Sequence, residues 1–414
     1  MRTCLWEGYS RCAIVFFIMR DVMKWVVIVG TFLLPFIPLV VMGSMFFSYI
    51  TGKGFAFRII VEIIFTAWIL LALYDQNYRP RFSWILAALA TFVGVIFVSD
   101  IFGVAPARSI WSNFERMEGW MTLIHLFMYF LVAGSVLTTE KIWHWFFNTS
   151  LVAASLIAFY AFLQLAGWVG IAQGGVRIDA TLGHAIYMAV YMLFHIFIAL
   201  LLFAKTTQTG MRVLYGALAV AFSFLLFETA TRGAIIGLAG GIVTAALLGA
   251  FLSRDNPTVR RVAFVVVAVV LLIGGIFYTL RTTAYVREHP IWSRIVSISL
   301  EAGATRFTIW NMALEGVKER PMLGWGQSNF DYVFDAQYRP SLYGQEPWFD
   351  RVHNILLDWL IAGGIVGFLA YVAVWVAVLY ALMKRRDRGK GTTDIKMKLN
   401  VSRELALNDR QLRQ

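Results

Sequence analysis

Long apolar segments recur along this chain, and they limit its possible folds more than any other feature. Of its 414 residues, 59% are hydrophobic and only 14% are charged, whereas a soluble domain has roughly 25% charged residues. A run of about 20 apolar residues is long enough to cross a hydrocarbon core of ~30 Å as a helix. Helices also pair their backbone polar groups internally, as the lipid phase requires. The sequence therefore predicts an all-α polytopic membrane protein.

Hydropathy divides the chain into four parts. Residues 1–280 are predicted to form an N-terminal bundle of about nine spans, 281–352 a long polar loop, 353–383 a further membrane helix and 384–414 a charged tail. The ten predicted spans cover residues 25–46, 59–73, 83–99, 120–137, 151–171, 184–204, 213–227, 234–252, 262–280 and 355–383.

The net charge of +12 is better explained by basic membrane loops than by nucleic-acid binding. Lysines and arginines concentrate in short loops on one side of the predicted bundle, as at Arg260, Arg261 and residues 384–386. Because cytoplasmic loops are enriched in these residues, we expect both termini to be cytoplasmic. The loop 281–352 would then face outward, which in a diderm bacterium is the periplasm.

Metal ligands are scarce in this sequence. The two cysteines, Cys4 and Cys12, lie near the N-terminus, so no disulfide within the chain can staple the long polar loop. We find no pattern of Cys and His residues with metal-ligand spacing, and we expect neither a metal nor a cofactor.

The long loop contains a helical pattern and then a glycine turn. Residues 305–314 carry apolar side chains at helical spacing. Pro321 ends that pattern, and Gly324 and Gly326 allow a tight turn. One interpretation is a small amphipathic cap on the membrane surface, which is compatible with a catalytic role.

Arg351, His353 and Asn354 lie where the polar loop enters the last apolar span. Histidine is the side chain suited to proton transfer near neutral pH, so His353 is a candidate general base. The alternative is a histidine bonded to its own backbone at the start of a helix. Asn354 either orients that ring or caps the helix.

Several motifs, in order, resemble the bacterial O-antigen ligase/polymerase superfamily. They are TATRGA at 229–234, RFTIW at 306–310, ERPMLGWG at 319–326 with Phe330 after it, and His353-Asn354. Residues 177–184 resemble the outward loop of the same family. The resemblance implies a metal-independent, multi-span glycosyltransferase of the GT-C type. Family members commonly have about two more spans after the His-Asn helix, whereas this chain becomes hydrophilic at Lys384.

The resemblance also implies substrates and a location. Such an enzyme takes a glycan from an undecaprenyl-diphosphate carrier and transfers it to an acceptor hydroxyl at the periplasmic face of the inner membrane. A ligase of lipopolysaccharide biosynthesis, acting on a lipid A–core acceptor, is the leading hypothesis. An O-antigen polymerase and a protein O-oligosaccharyltransferase are the alternatives, so the acceptor is either lipid-linked or a protein.

Arginines are the expected diphosphate ligands, because guanidinium stays charged and pairs bidentately with phosphate oxygens. Arg232 lies in a very short turn between two spans, where a charge near lipid is costly unless it is used. It is the first candidate, with interfacial snorkelling as the alternative. The other candidates for binding substrate are Arg306, Arg177, Arg351, Asn354 and Arg116. Arg306 and Arg351 are alternatively surface charges, and Arg116 is alternatively part of an interfacial belt of aromatic residues and ion pairs.

A transporter or flippase for a lipid-linked sugar is the alternative from a different class. Transporters often have broken helices and charges at the midplane of the membrane. The predicted spans here are mostly uninterrupted. Apart from Asp358, the strong polar groups lie at the outer boundary, which favours chemistry at the surface.

Overall fold

The computed structural model describes residues 19–252, 256–296, 300–343 and 348–411. Every regular element in those ranges is helical, so the predicted all-α fold is confirmed. The helices are α1 (Met19–Leu39), α2 (Thr51–Tyr74), α3 (Trp84–Ile101), α4 (Pro106–Trp111), α5 (Trp120–Val136), α6 (Glu140–Leu165), α7 (Ala185–Lys205), α8 (Thr209–Glu228), α9 (Arg232–Leu252), α10 (Pro257–Leu280), α11 (Ala284–Glu288), α12 (Pro290–Val296), α13 (Leu300–Glu319), α14 (Phe330–Ala336) and α15 (Ile355–Gln411). Short 3-10 segments lie at Leu34–Leu39, Gln76–Tyr78, Ala180–Leu182 and Pro340–Leu342.

The apolar helices correspond to the ten predicted spans. Within the described ranges, nine are long and apolar enough to cross a membrane, namely α1, α2, α3, α6, α7, α8, α9, α10 and residues Ile355–Lys384 of α15. The tenth, α5, is apolar but has only 17 residues. The second and seventh predicted spans, which were short, lengthen to 24 and 20 residues. The chain is therefore a polytopic membrane protein.

Several helices begin or end at residues other than those predicted. The first span, predicted at 25–46, ends at Leu39, and its last turns form a 3-10 segment that contains Pro35 and Pro38. The fifth starts earlier than predicted, at Glu140, where Thr139 Oγ1 accepts a hydrogen bond from the amide of Ile142 at 3.2 Å. The last helix continues beyond the predicted end at 383, as far as Gln411.

Contacts divide the chain into two compact units. Unit 1 comprises Met1–Arg81 and Ala107–Ile309, and unit 2 comprises Phe82–Pro106 and Trp310–Gln414. Unit 2 thus combines α3 with the last long helix, which is far from it in sequence. The four-part division read from hydropathy stays a prediction.

The core of unit 1 is formed by α6, α7 and α8. Met188, Met192 and Ile196 recur at a spacing of four residues on α7, so they occupy one face of it, and all are buried. Phe222 and Leu226 of α8 belong to the same cluster. This packing fixes the ends of α6, α7 and α8, and with them the loops that carry Arg177 and Arg232.

Unit 2 is built on close packing of α3 against α15. An added Cβ on Gly363 would lie 2.8 Å from Ile96 Cδ1, and one on Gly367 would lie 3.1 Å from it. Glycine at these two positions therefore allows the helices to approach closely. Phe92 and Trp359 pack edge to face beside them, 4.8 Å between ring centroids.

The last long helix is broken at Gly364, which has φ 61° and ψ −164°. Backbone groups of α15 next to the break instead form hydrogen bonds with the glycine turn predicted at 321–326. The amides of Trp325 and Gly326 donate to the carbonyls of Ile361 and Ala362, each at 2.9 Å, and the Ile365 amide donates to the Pro321 carbonyl at 2.8 Å. The turn is thus bonded into α15, and the small amphipathic cap on the membrane surface stays a prediction.

The spans were predicted to be mostly uninterrupted, and the break at Gly364 is an exception. Its position along the span can be compared with the breaks seen in transporters. An added Cβ on Gly363 would lie 3.9 Å from Oγ of Ser99, in the last turn of α3. Residues 365–384 alone span ~30 Å as a helix. The break therefore lies in the first third of the apolar segment Ile355–Lys384, level with the last turn of α3, whereas transporters often have breaks at the membrane midplane.

Candidate active site

A turn of three residues joins α8 to α9 and leads into Arg232. Thr229 is fully buried, and its Oγ1 donates to the Leu226 carbonyl at 2.6 Å. Ala230 has φ 49°, a left-handed conformation that is unfavourable for a residue other than glycine. Arg232 is the first residue of α9 and is half-buried. Because a helix N-terminus has unpaired amides and a positive dipole end, this position favours anions.

Arg177 is bonded to the same turn. Its Nε donates to the Thr229 carbonyl at 2.8 Å, and its Nη2 donates to Oγ1 of Thr231 at 3.0 Å. The structure therefore brings Arg177 together with the turn that carries Arg232. Two of the five donors of its guanidinium hold that turn.

The loop that carries Arg177 is anchored by a buried carboxylate. Asp179 is fully buried, and its two oxygens accept from Gln164 Nε2 and from the Gln173 amide, each at 2.8 Å. Gln164 Oε1 in turn accepts from the Ala180 amide at 2.8 Å. Because a buried carboxylate is tolerated only when it is hydrogen-bonded, these bonds fix the loop and the position of Arg177.

His184 caps the start of α7. Its Nδ1 accepts from the Ile186 amide at 3.2 Å, and its ring packs against Tyr187. Burial lowers the pKa of His184 below its ordinary value, and the charge of Arg177 lowers it further, against a weaker opposite effect of Asp179. The neutral ring is the form that accepts the capping hydrogen bond.

The glycine turn of unit 2 is also tied to the end of α3. The Gln327 amide donates to Asp100 Oδ1 at 2.7 Å, and the Val104 amide donates to the Trp325 carbonyl at 3.1 Å. Gly324 and Gly326 have φ 67° and 86°, so the tight turn predicted there is confirmed. The turn is thereby bonded both to α3 and to the break in α15.

His353 precedes α15, with its side chain exposed and φ 57°. Its ring meets Phe349 edge to face, 5.6 Å between centroids. Asn354 Oδ1 accepts from the Leu356 amide at 3.1 Å, so this residue caps the helix. His353 and Asn354 therefore lie immediately before the N-terminus of the last long helix, α15.

Asp358 is the partner of this segment that the sequence reasoning did not assign. Its Oδ1 accepts from the Val352 amide at 2.9 Å, and its amide donates to the Asn354 carbonyl at 2.7 Å. The available signal was an acidic residue one helical turn after Asn354 in an otherwise apolar run.

The remaining arginine candidates lie elsewhere. Arg116 lines a cleft in unit 1 together with Lys53 and Arg58, two cations that the sequence reasoning did not select. Arg306 is exposed on α13 and belongs to unit 1. Among the described residues, no group of three or more His, Cys, Asp or Glu side chains is arranged to hold a metal ion.

Comparison with protein families identifies the central part of the chain. Residues 217–372 match the family model described as O-antigen ligase. This segment, which is less than half of the chain, is similar to the O-antigen ligase family. The matched residues include the Arg232 turn, the long polar loop and the His353-Asn354 pair, whereas Arg177 and Arg116 lie outside them.

The match confirms the resemblance to the O-antigen ligase/polymerase superfamily. The family that residues 217–372 match implies a glycosyltransferase-type ligase or polymerase activity, and it suggests lipid-linked glycan and acceptor substrates in general. A search of curated proteins found no match to this chain.

Proposed function

We propose that this protein transfers a glycan from an undecaprenyl-diphosphate carrier to the hydroxyl of a lipid A–core type acceptor. The observation that carries the proposal is the O-antigen ligase match over residues 217–372, which contains both Arg232 and His353. In the reaction, the acceptor oxygen forms a bond to the anomeric carbon of the donor sugar. The bond from that carbon to the diphosphate breaks, and the diphosphate leaves on its lipid carrier.

Arg232 is assigned to the leaving diphosphate. Negative charge grows on those oxygens as the bond breaks, and a preorganised cation at a helix N-terminus stabilises it. Arg177 positions this residue, because its two hydrogen bonds fix the Thr229–Thr231 turn immediately before Arg232. Arg306, Arg351 and Arg116 are assigned to binding the donor or the sugar.

His353 is assigned as the general base that takes the proton of the acceptor hydroxyl. Its positive φ supports this role, since strained backbone conformations cluster at functional sites. Asn354 and Asp358 fix the segment through their bonds to the Leu356 and Val352 amides. Held in this way, an exposed imidazole is available to a bound acceptor.

The proposed location is the bacterial inner membrane, with both termini in the cytoplasm and the reaction at the periplasmic face. The concentration of basic residues in one set of short loops supports this orientation. Arg232 and His353 lie at or next to the N-terminal ends of membrane helices, and Arg177 lies in the loop between α6 and α7, where polar groups are tolerated and substrate headgroups are found.

Glycan transfer by purified protein tests the proposal. The donor is an undecaprenyl-diphosphate glycan, and the acceptors are a lipid A–core, a carrier-linked repeat unit and a hydroxyl-bearing peptide, each with EDTA present. We expect transfer to the lipid A–core, unaffected by EDTA. Transfer only to the repeat unit would assign a polymerase, and transfer only to the peptide a protein oligosaccharyltransferase. A folded protein that transfers to none of them, but moves the donor across a vesicle bilayer, would overturn the proposal in favour of a transporter.

A further inference from the structure

Unit 1 contains a cleft of about 590 Å³ that is separate from the Arg232 turn. It is lined by α1, α2, α5, α6 and the start of α7. Lys53 and Arg58 lie toward the N-terminal end of α2, and the walls include Leu126, Tyr129 and Phe146. On α5 the lining runs from Thr122 to Tyr129, about 10 Å along the helix. The lining also includes Arg116 and Glu118, so the cleft combines a charged end, with three cations and one carboxylate, and a largely apolar body.

The first cation is held by neutral groups. Lys53 Nζ donates to the carbonyls of Tyr49, at 2.8 Å, and Thr181. In the described part of the chain, no carboxylate lies within ion-pair distance of Lys53. An ammonium group has three donors, so one remains for a ligand.

The second cation is likewise held without a direct counter-ion. Arg58 Nη2 donates to the Met117 carbonyl and to Thr122 Oγ1 at 2.8 Å. Glu62 is the carboxylate whose charge acts on Arg58. Its Oε1 instead lies 3.0 Å from Nε2 of His125. Arg58 is only 8% exposed, and a cation inside a membrane bundle is costly unless it has a function.

We propose that this cleft binds a phosphate-bearing lipid of the surrounding bilayer. Lys53 and Arg58 take the phosphate, and one acyl chain lies along Leu126, Tyr129 and Phe146. Charge complementarity selects an anionic headgroup, and the apolar body selects a lipid over free phosphate. Arg116, which the proposed function assigns to substrate binding, also lines this cleft. Lipid retention is measured separately from glycan transfer, and Lys53 and Arg58 do not belong to the Arg177 and Arg232 arrangement, so the two proposals can fail separately.

Gly54 offers a direct test, because it lines the cleft and an added Cβ there meets nothing within 4 Å. Gly54→Leu should fill the cleft without breaking a hydrogen bond. Gly240→Leu is the matched control, since Gly240 also faces open space in a membrane helix of unit 1. Native mass spectrometry in detergent would count retained phosphatidic acid against diacylglycerol with the same acyl chains.

We expect the wild type and Gly240→Leu to retain phosphatidic acid but not diacylglycerol, and Gly54→Leu to lose that retention about tenfold. Lys53→Met and Arg58→Met should each lower the retention, and inorganic phosphate should not displace the lipid. Three results would overturn the proposal: equal retention of both lipids, retention by Gly54→Leu equal to that of the control, or complete displacement by inorganic phosphate. Thermal unfolding of each variant shows that its fold is kept.

Discussion

At the scale of single residues, His353 and Arg177 show how the neighbours of a candidate group define its role. His353 is exposed and has φ 57°, between the buried Val352 and the cap residue Asn354. Val352 and Asn354 are both bonded to Asp358. Arg177, in contrast, spends two donors on the turn before Arg232. We therefore propose that Arg177 positions the turn in addition to binding substrate.

The lowered pKa of His184 makes a prediction about pH and stability. Its pKa is lower in the folded protein than in the unfolded chain, so the unfolded chain binds the proton more readily. The stability from neutral His184 is present above the unfolded pKa and is lost as the pH falls below it. His184→Asn keeps a capping oxygen but removes the titrating ring. We expect the Tm of this variant to fall less than that of the wild type between neutral pH and about pH 5.

Thermal unfolding in detergent at a series of pH values measures this difference. The wild type is compared with His184→Asn at each pH, so the titration of other groups cancels. An equal fall in Tm for both proteins would contradict the assigned effect of His184.

At the scale of elements, hydropathy and turn chemistry predicted much of the fold. Ten apolar segments could be recognised because a helix needs about 20 apolar residues to cross the hydrocarbon core of a membrane. The end of α13 before Pro321 and the turn at Gly324 and Gly326 follow from proline and glycine backbone chemistry. These features are local, so a single sequence contains them.

Other features depend on partners distant in sequence and were not predicted. Gly363 and Gly364 lie inside an apolar run, so hydropathy gives no sign of a break, which requires the 321–326 turn as its hydrogen-bond partner. From the sequence, Lys53 and Arg58 are indistinguishable from ordinary charges at the membrane interface. Only the packing of α2, α5 and α7 places them in one cleft. The site residues were found largely through the family resemblance.

The break in α15 makes a prediction of its own. Gly364 lies in a backbone region that is essentially restricted to glycine, and an added Cβ would lie 2.3 Å from the Met322 carbonyl oxygen. Gly364→Ala should therefore lower the free energy of unfolding by about 2 kcal/mol or more. Gly94→Ala on α3 is the matched control, because its Cβ meets open space within a helix.

Thermal unfolding of both glycine variants in the same detergent tests this argument. The control should unfold at the wild-type temperature or slightly above, since alanine favours a helix. A Gly364→Ala protein as stable as the control would contradict the account of the break.

At the scale of the whole molecule, the proposed chemistry is divided between the two units. Unit 1 carries Arg177 and the Arg232 turn, and unit 2 carries His353 with Asn354 and Asp358. The O-antigen ligase match spans residues of both units. We expect binding of the leaving diphosphate by Arg232 and removal of the acceptor proton by His353 to be separable by mutation.

The most direct test measures donor binding and glycan transfer separately in Arg232→Ala and His353→Ala, with Arg212→Ala as a control for loss of a basic residue in unit 1. We predict that His353→Ala binds the donor as the wild type does but transfers glycan about 100-fold more slowly or worse. Arg232→Ala should bind the donor about tenfold more weakly, since charge-assisted bonds to phosphate are lost, while the control keeps both properties. Wild-type transfer by His353→Ala, or unchanged donor binding by Arg232→Ala, would contradict the account.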